Sequence, residues 1–272
     1  MKTNRSALVV AMLAILAMLG LAAVAAGQAR EDVGVVAPPF TGPFPPAGTN
    51  WKPDVLLYDN GPLLTHAGGC TGTWVDASRL QTDLLMTTLG FGHQIASGNQ
   101  VADDFTVAAA GWHIDTIAFY GYQTSSTTPS INDVRVRIWN GAPNAGGTIV
   151  WGDLTTNRIA GTATIGTLQR DSGTTTCANN RLIQVVIATI NADFAAGTYW
   201  VEWTEGGTGS SGPWAPPITI LGQTTTGNGL QYLASSGAWA AANDGGTSTQ
   251  QGFPFTIDGT VLPVELQSLT IE

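Results

Sequence analysis

The chain has 272 residues, a formal charge of −9 at pH 7, and only 11% charged residues. An acidic balance of this kind repels nucleic acid phosphates and anionic lipid surfaces, which argues against both as main partners. With charges so sparse, solubility must rest on Thr, Ser, Asn, Gln and Gly.

Lys2 and Arg5 precede an unbroken apolar run from Ala7 to Ala26, and small residues follow at Ala25, Ala26, Gly27 and Ala29. A short basic region, an apolar stretch and an alanine-type cleavage site predict a secretory signal peptide over residues 1–29. The run of about 20 residues is also long enough to span a bilayer, so a retained anchor is the alternative. Against the anchor, the charges lie on the N-terminal side, and Arg30 is followed by Glu31 and Asp32 rather than a basic stop-transfer flank. A cut after Ala29 removes Lys2 and Arg5 but no acid, and leaves Lys52 as the only lysine. No second long apolar run follows, so no membrane contact is expected after cleavage. No cysteine lies near the cut, so a lipoprotein anchor is not indicated. The expected location is secreted, either extracellular or at the cell surface.

Residues 30–53 read as an extended arm. Pro38, Pro39, Pro43, Pro45, Pro46 and Pro53 deny the segment both helix and central-strand hydrogen bonding. It is a spacer or a docking arm, the spacer being the simpler reading. Cys70 and Cys177 are the only cysteines. In an oxidising compartment they pair by default, closing a loop worth up to about 4–5 kcal/mol, with two buried thiols as the alternative. Neither lies in a CxxC or has a histidine at ligand spacing, which argues against zinc and thiol redox chemistry. Between Asp76 and Gly90 a short helix is expected, with Asp76 as cap, Leu80 and Leu84 four apart, and Gly90 as terminator.

Period-two patterning dominates the rest. VADDFTV and WHIDTIAFYGY read as strands, and in Asn132–Asn140 the residues Val134, Val136 and Ile138 alternate with Arg135, Arg137 and Trp139. Ile183, Val185 and Ile187 repeat the pattern, as do Phe253, Phe255 and Ile257. In GTYWVEWT, Tyr199, Val201 and Trp203 share one face and Trp200 and Glu202 the other. Asn140-Gly141, Asn228-Gly229 and Asp258-Gly259 are turn signals. The stretch Val264–Ile271 changes register midway, as a bulge near Gln267 or an edge strand covered on both faces would produce. Many short strands, glycine-rich turns and little helix predict an all-β fold, an antiparallel β-sandwich of jelly-roll type over residues 54–260, followed by a strand-like tail at 261–272.

The ordered set VADDFTV, FYGY, VRVRIWNGAPN, IVWGD, GTYWVEW, GPWAPPITILG and QQGFPFTIDG resembles a family of secreted bacterial β-sandwich proteins. The resemblance spans residues 55–260 and implies a bacterial, exported, jelly-roll domain similar in architecture to carbohydrate-binding modules. It carries over no activity and no catalytic residues. LPVELQSLTIE is similar to a segment near the C-terminus of many secreted bacterial proteins, where it precedes a sorting or surface-attachment region.

Catalytic signatures are sparse. Histidine occurs only at His66, His93 and His113, and neither a G-x-S-x-G elbow nor HExxH is present. Glu202 and Glu205 are the least implausible carboxylate pair for glycoside hydrolysis, with solvated surface acids as the simpler reading. Asp103 and Asp104 are adjacent on a strand, so one faces inward and needs a partner: a structural Ca²⁺, an arginine, or turn N–H groups. Nine tryptophans are many for this length. Aromatic faces stack on sugars, although tryptophan in sandwiches is mostly buried. Trp139 and Trp200 share faces with charged residues, and Trp214 and Trp239 sit in loop-like contexts. Trp200, Trp214 and Trp239 are therefore the candidate glycan contacts.

The sequence thus predicts an exported, non-catalytic binding or structural module with no assigned catalytic residue. Its expected partner is an extracellular polysaccharide or copies of itself. A self-associating subunit of an extracellular assembly and a secreted carboxylate-dependent glycosidase are the alternatives. The one cofactor the sequence suggests is a structural Ca²⁺ at Asp103 or Asp104.

Overall fold

The computed structural model describes residues 29–33, 56–70, 76–172, 177 and 180–263. Its strands, in chain order, are β1 (Arg30–Asp32), β2 (Leu56–Asp59), β3 (Asp76–Arg79), β4 (Thr88–Gly92), β5 (Gln100–Val107), β6 (Trp112–Gly121), β7 (Ile131–Trp139) and β8 (Ile149–Asp153). They continue as β9 (Thr164–Asp171), β10 (Leu182–Phe194), β11 (Gly197–Gly207), β12 (Trp214–Ala215), β13 (Leu230–Leu233), β14 (Ala238–Ala241) and β15 (Phe255–Val261). The fold is all-β, and among the described residues no helix reaches seven residues.

Six strands form one sheet in the order β2-β15-β6-β10-β9-β3, six form a second in the order β14-β13-β5-β11-β7-β8, and β1-β4-β12 make a small third sheet. The two large sheets pack together because alternation places one apolar face of each inward. Ile117 and Phe119, Val186 and Ala188, and Phe255 and Ile257 meet Val101 and Phe105, Val134 and Val136, and Val201 and Trp203 in one core. Trp203 stacks on Phe119 at its centre, with ring centroids 4.6 Å apart. Each of the buried valines, isoleucines and phenylalanines contributes about 1.5–3 kcal/mol.

Several expectations from the sequence change here. No helix forms at 76–90. Asp76 instead opens β3, where its carboxylate accepts Gly68 N–H at 2.9 Å and the Thr167 hydroxyl at 2.5 Å. A 3₁₀ turn at Thr82–Leu84 follows, then β4, whose five residues are all buried. On β10 the core side is carried by Val186, Ala188 and Ile190, while Val185 and Ile187 are half-buried on the other face. Both faces of this strand are apolar, so alternation alone did not choose between them. Asp258-Gly259 is a bulge inside β15 rather than a turn. A Cβ on Gly259 would run into the carbonyl oxygen of His113 across the ladder, so the close approach requires glycine.

The arm also begins later than residue 30. Arg30–Asp32 pair with β4, and Glu31 is 1% exposed. Its carboxylate accepts the Tyr122 hydroxyl at 2.6 Å and the Thr124 hydroxyl at 3.1 Å, and pairs with Arg181 at 2.8 Å. A buried carboxylate satisfied in this way ties the first strand into the body. The remainder of the arm, residues 34–53, and the register change at Val264–Ile271 lie outside the described residues. Cys70 and Cys177 form a disulfide with their Cα atoms 5.6 Å apart. No helix among the described residues is long and apolar enough to cross a membrane.

Candidate functional site

The outer face of the second sheet gathers aromatic and charged side chains. Period two on β11 sends Val201, Trp203 and Glu205 inward, and Trp200, Glu202 and Thr204 outward. In the antiparallel register Trp200 lies opposite Trp139 on β7 and Asp104 on β5. Glu202 lies opposite Arg137 and Ala102, Ala102 opposite Leu230, and Tyr232 opposite Gln100 and Trp239. Directly opposed residues share a face, so β7, β11, β5, β13 and β14 present one continuous surface.

Ala102, Trp200 and Leu230 form a small apolar cluster on this face, with Trp139, Trp239 and Ala142 packed against it. Trp139 and Trp239 are half-buried. Tyr232 and Trp239 touch with ring centroids 5.6 Å apart. Beneath them Glu202 is 1% exposed. Its Oε2 accepts the Trp139 indole N–H at 2.8 Å, and Arg137 stands 3.7 Å from Oε1. Burial raises the Glu202 pKa, while Arg137 and the indole N–H pull it down. The hydrogen bond fixes the orientation of the Trp139 ring, so its free face is set before any ligand arrives.

Of the three nominated tryptophans, two meet here and one does not. Trp239 lies on β14 rather than in a loop, and remains accessible. Trp200 is buried at 8% exposure, because the β13–β14 hairpin and Ala142 close over it, so it supports the face from below. Trp214 is 3% exposed and packs with Leu63, Tyr122 and Ile183 in a separate cluster, removed from the nominated face. Arg137, which alternation already placed on the polar side of its strand, joins the face, as does Tyr232, which was not among the expected contacts. The alternating Leu230 and Tyr232 in LQYL were the available signal for Tyr232.

Glu202 and Glu205 do not converge. Three residues apart on one strand, they point to opposite faces. Glu205 is fully buried in the core, 3.0 Å from His93 Nε2. No single glycosidic bond can lie between these two carboxylates, so the pairing expected for a glycosidase is corrected.

Asp103 and Asp104 also separate. Asp104 turns to the outer face, while Asp103 is buried and accepts Phe253 N–H at 2.6 Å, Asn60 Nδ2–H at 3.0 Å and Asp104 N–H at 2.9 Å. These N–H donors present positive hydrogens where a cation would have to sit. With Asp103 committed to these donors and Asp104 on the opposite face, the two carboxylates do not converge on one cation. Burial pushes the Asp103 carboxyl up to about 7 against the pull of those donors. The folded-state value therefore lies above the unfolded value of about 3.9. The stability linked to this proton is complete below about pH 4 and is lost as pH rises through about 7. Chemical denaturation from pH 4 to 8 should show the stability advantage of wild type over Asp103→Asn shrinking with rising pH. A pH-independent difference would remove Asp103 as the titrating group.

Two depressions lie elsewhere. One, of about 330 Å³, is lined by Asn140, Trp151, Asp193 and Tyr199 among others. There the Arg158 guanidinium covers the Trp151 ring at 4.3 Å, so that ring face is already occupied. The other, of about 450 Å³, lies between Ala29, Arg30 and Phe91 on one side and Gln231 and Ala240 on the other.

These features define a class: an all-β pair of packed sheets, with one disulfide beside an edge of the first sheet and oriented aromatic rings on the outer face of the second. No protein-family model, curated protein or solved structure matches the chain.

Proposed function

We propose that this is an exported, non-catalytic binding module of jelly-roll type, and that the outer face of its second sheet takes a neutral glycan. The observation that carries the reading is the pair of accessible rings, Trp139 and Trp239, on one sheet face, the first held by a buried carboxylate. Flat apolar rings beside polar groups suit the two-sided chemistry of a sugar ring. Asp104 and Glu202 on the same face, with Arg137 turned to Glu202, disfavour an anionic polysaccharide.

The strand order supports the jelly-roll reading. With β2, β5, β6, β7, β8, β10, β11 and β15 as framework, the first strand pairs the eighth, the second the seventh, the third the sixth and the fourth the fifth. A long hairpin folded over itself into two sheets has this pairing. The basic and apolar leader, the disulfide and the resemblance to secreted bacterial sandwiches all support export.

Affinity electrophoresis across neutral and anionic polysaccharides tests the site. Trp139→Ala and Trp239→Ala should each weaken binding about tenfold, or about 1.4 kcal/mol. Trp214→Phe, altered in a different cluster, should bind as wild type. Retardation by no polysaccharide, or unchanged binding in both alanine variants, would sink the proposal.

A second reading, self-association, rests on edge strand β8, where Ile149 and Val150 are 45% and 48% exposed. Unpaired edges with apolar side chains invite a second copy. Light scattering with size exclusion decides it, since a concentration-independent monomer removes this reading.

A further inference from the structure

Ala29 belongs to the folded body. Its carbonyl oxygen accepts Gly92 N–H at 2.8 Å, and the Gln231 side-chain amide donates to the same oxygen. Gly92 ends a strand whose five residues are all buried, and Gln231 is 7% exposed, so two groups of the folded body share this oxygen as their acceptor. On the C-terminal side, Glu31 is locked to Tyr122, Thr124 and Arg181, and Val33 N–H donates to the Thr87 carbonyl at 2.8 Å. A cut after Ala29 would delete the acceptor for Gly92. It would also turn the peptide nitrogen of Arg30 into a charged ammonium at the first position of β1.

From this we infer that the maturation site lies upstream of Ala29, so that the exported chain keeps Ala29 as a structural residue. The inference rests on reading the N-terminal segment as a cleaved signal. Upstream, the sequence offers the small pairs that a signal-cleaving protease accepts three residues and one residue before the cut. Ala23 with Ala25 directs the cut before Ala26, and Val24 with Ala26 directs it before Gly27. Either cut leaves a short lead-in before Ala29 and puts the new ammonium several residues away from the Gly92 hydrogen bond. Gly27 with Ala29 also satisfies the small-residue rule, and is rejected here only because the fold uses Ala29.

The test is to express the full chain in a secreting bacterial host and to determine the N-terminal residue of the exported protein by intact mass and N-terminal sequencing. A first residue from Ala26 to Ala29 is the expected result, and Arg30 as the first residue overturns the inference. A product retaining Met1 overturns the signal reading itself, a different and distinguishable failure. An exported variant lacking residues 27–29, engineered to begin at Arg30, should melt about 3–6 °C lower and exchange its Gly92 amide faster than a chain beginning at Gly27. Identical melting and identical exchange at Gly92 would show that Ala29 has no structural part, and would also overturn the inference.

Discussion

A Cys70→Ser/Cys177→Ser variant is expected to lose about 4–5 kcal/mol of unfolding free energy and about 10–15 °C of melting temperature. The two residues are separated by 107 positions, so the bond removes much of the freedom of the unfolded chain. It also acts at a particular place in the fold. Cys70 precedes β3 and Cys177 follows β9, and β3 is a four-residue edge strand paired with β9 in parallel. Parallel neighbours this far apart in sequence have no turn to hold them in register. Ala77 on β3 packs with both half-cystines in one buried cluster, so the bond staples the strand where local chemistry is weakest. Urea unfolding should show a larger m-value in the variant, because the unlinked denatured state exposes more surface. A melting shift under about 3 °C would mean that strand pairing alone secures β3.

The framework was legible where one face of a strand is apolar and the other polar. Val134, Val136 and Ile138 are fully buried while Arg135 and Arg137 face outward, as the alternation requires. Legibility failed where long-range polar partners decide. Asp76 reads as a helix cap in isolation, yet Gly68 and Thr167 recruit it into a strand. Gln184 is fully buried on the core side of β10, because its side-chain oxygen accepts the N–H groups of Ser130 and Ile131 at 2.8 and 3.1 Å. No local pattern announces a partner more than fifty residues away. The candidate face was half legible for the same reason. The shared face of Trp200 and Glu202 follows from period two within one strand. That the β13–β14 hairpin would cover Trp200 and leave Trp139 and Trp239 accessible depends on which strands become neighbours. Trp214 misled because proline and glycine around it suggest an exposed loop, whereas its ring packs against Tyr122.

Replacing Arg181 with methionine is expected to destabilise the protein by about 3–5 kcal/mol, because it leaves the Glu31 carboxylate buried without its cation. Burial is the largest influence and works against the charge on Arg181, but the hydrogen bond and charge of Glu31 together with Tyr122 and Asp171 outweigh it and leave the guanidinium pKa raised. Thermal and urea unfolding measure the loss, and amide exchange at Val33 and Gly92 shows whether β1 comes away first. A loss under about 1 kcal/mol would show that the two hydroxyls suffice for Glu31. The double variant Glu31→Leu/Arg181→Met separates stability from specificity. Exchanging both charges for apolar side chains of similar size should recover most of the loss. It should not restore the register of β1. In the sequence Arg30-Glu31-Asp32, a slip of one residue along β4 moves Glu31 away from Arg181 and brings Arg30 or Asp32 to the inward position. Arg30 would confront Arg181 with like charge, and Asp32 is one methylene shorter than Glu31. With the pair removed, the register rests on weaker pins at the strand's two ends, the Thr88 hydroxyl donating to Asp32 at 2.7 Å and Arg30 donating to the Asn243 carbonyl at 3.4 Å. Exchange at Val33 and Gly92 should therefore stay fast in the double variant even after its global stability returns.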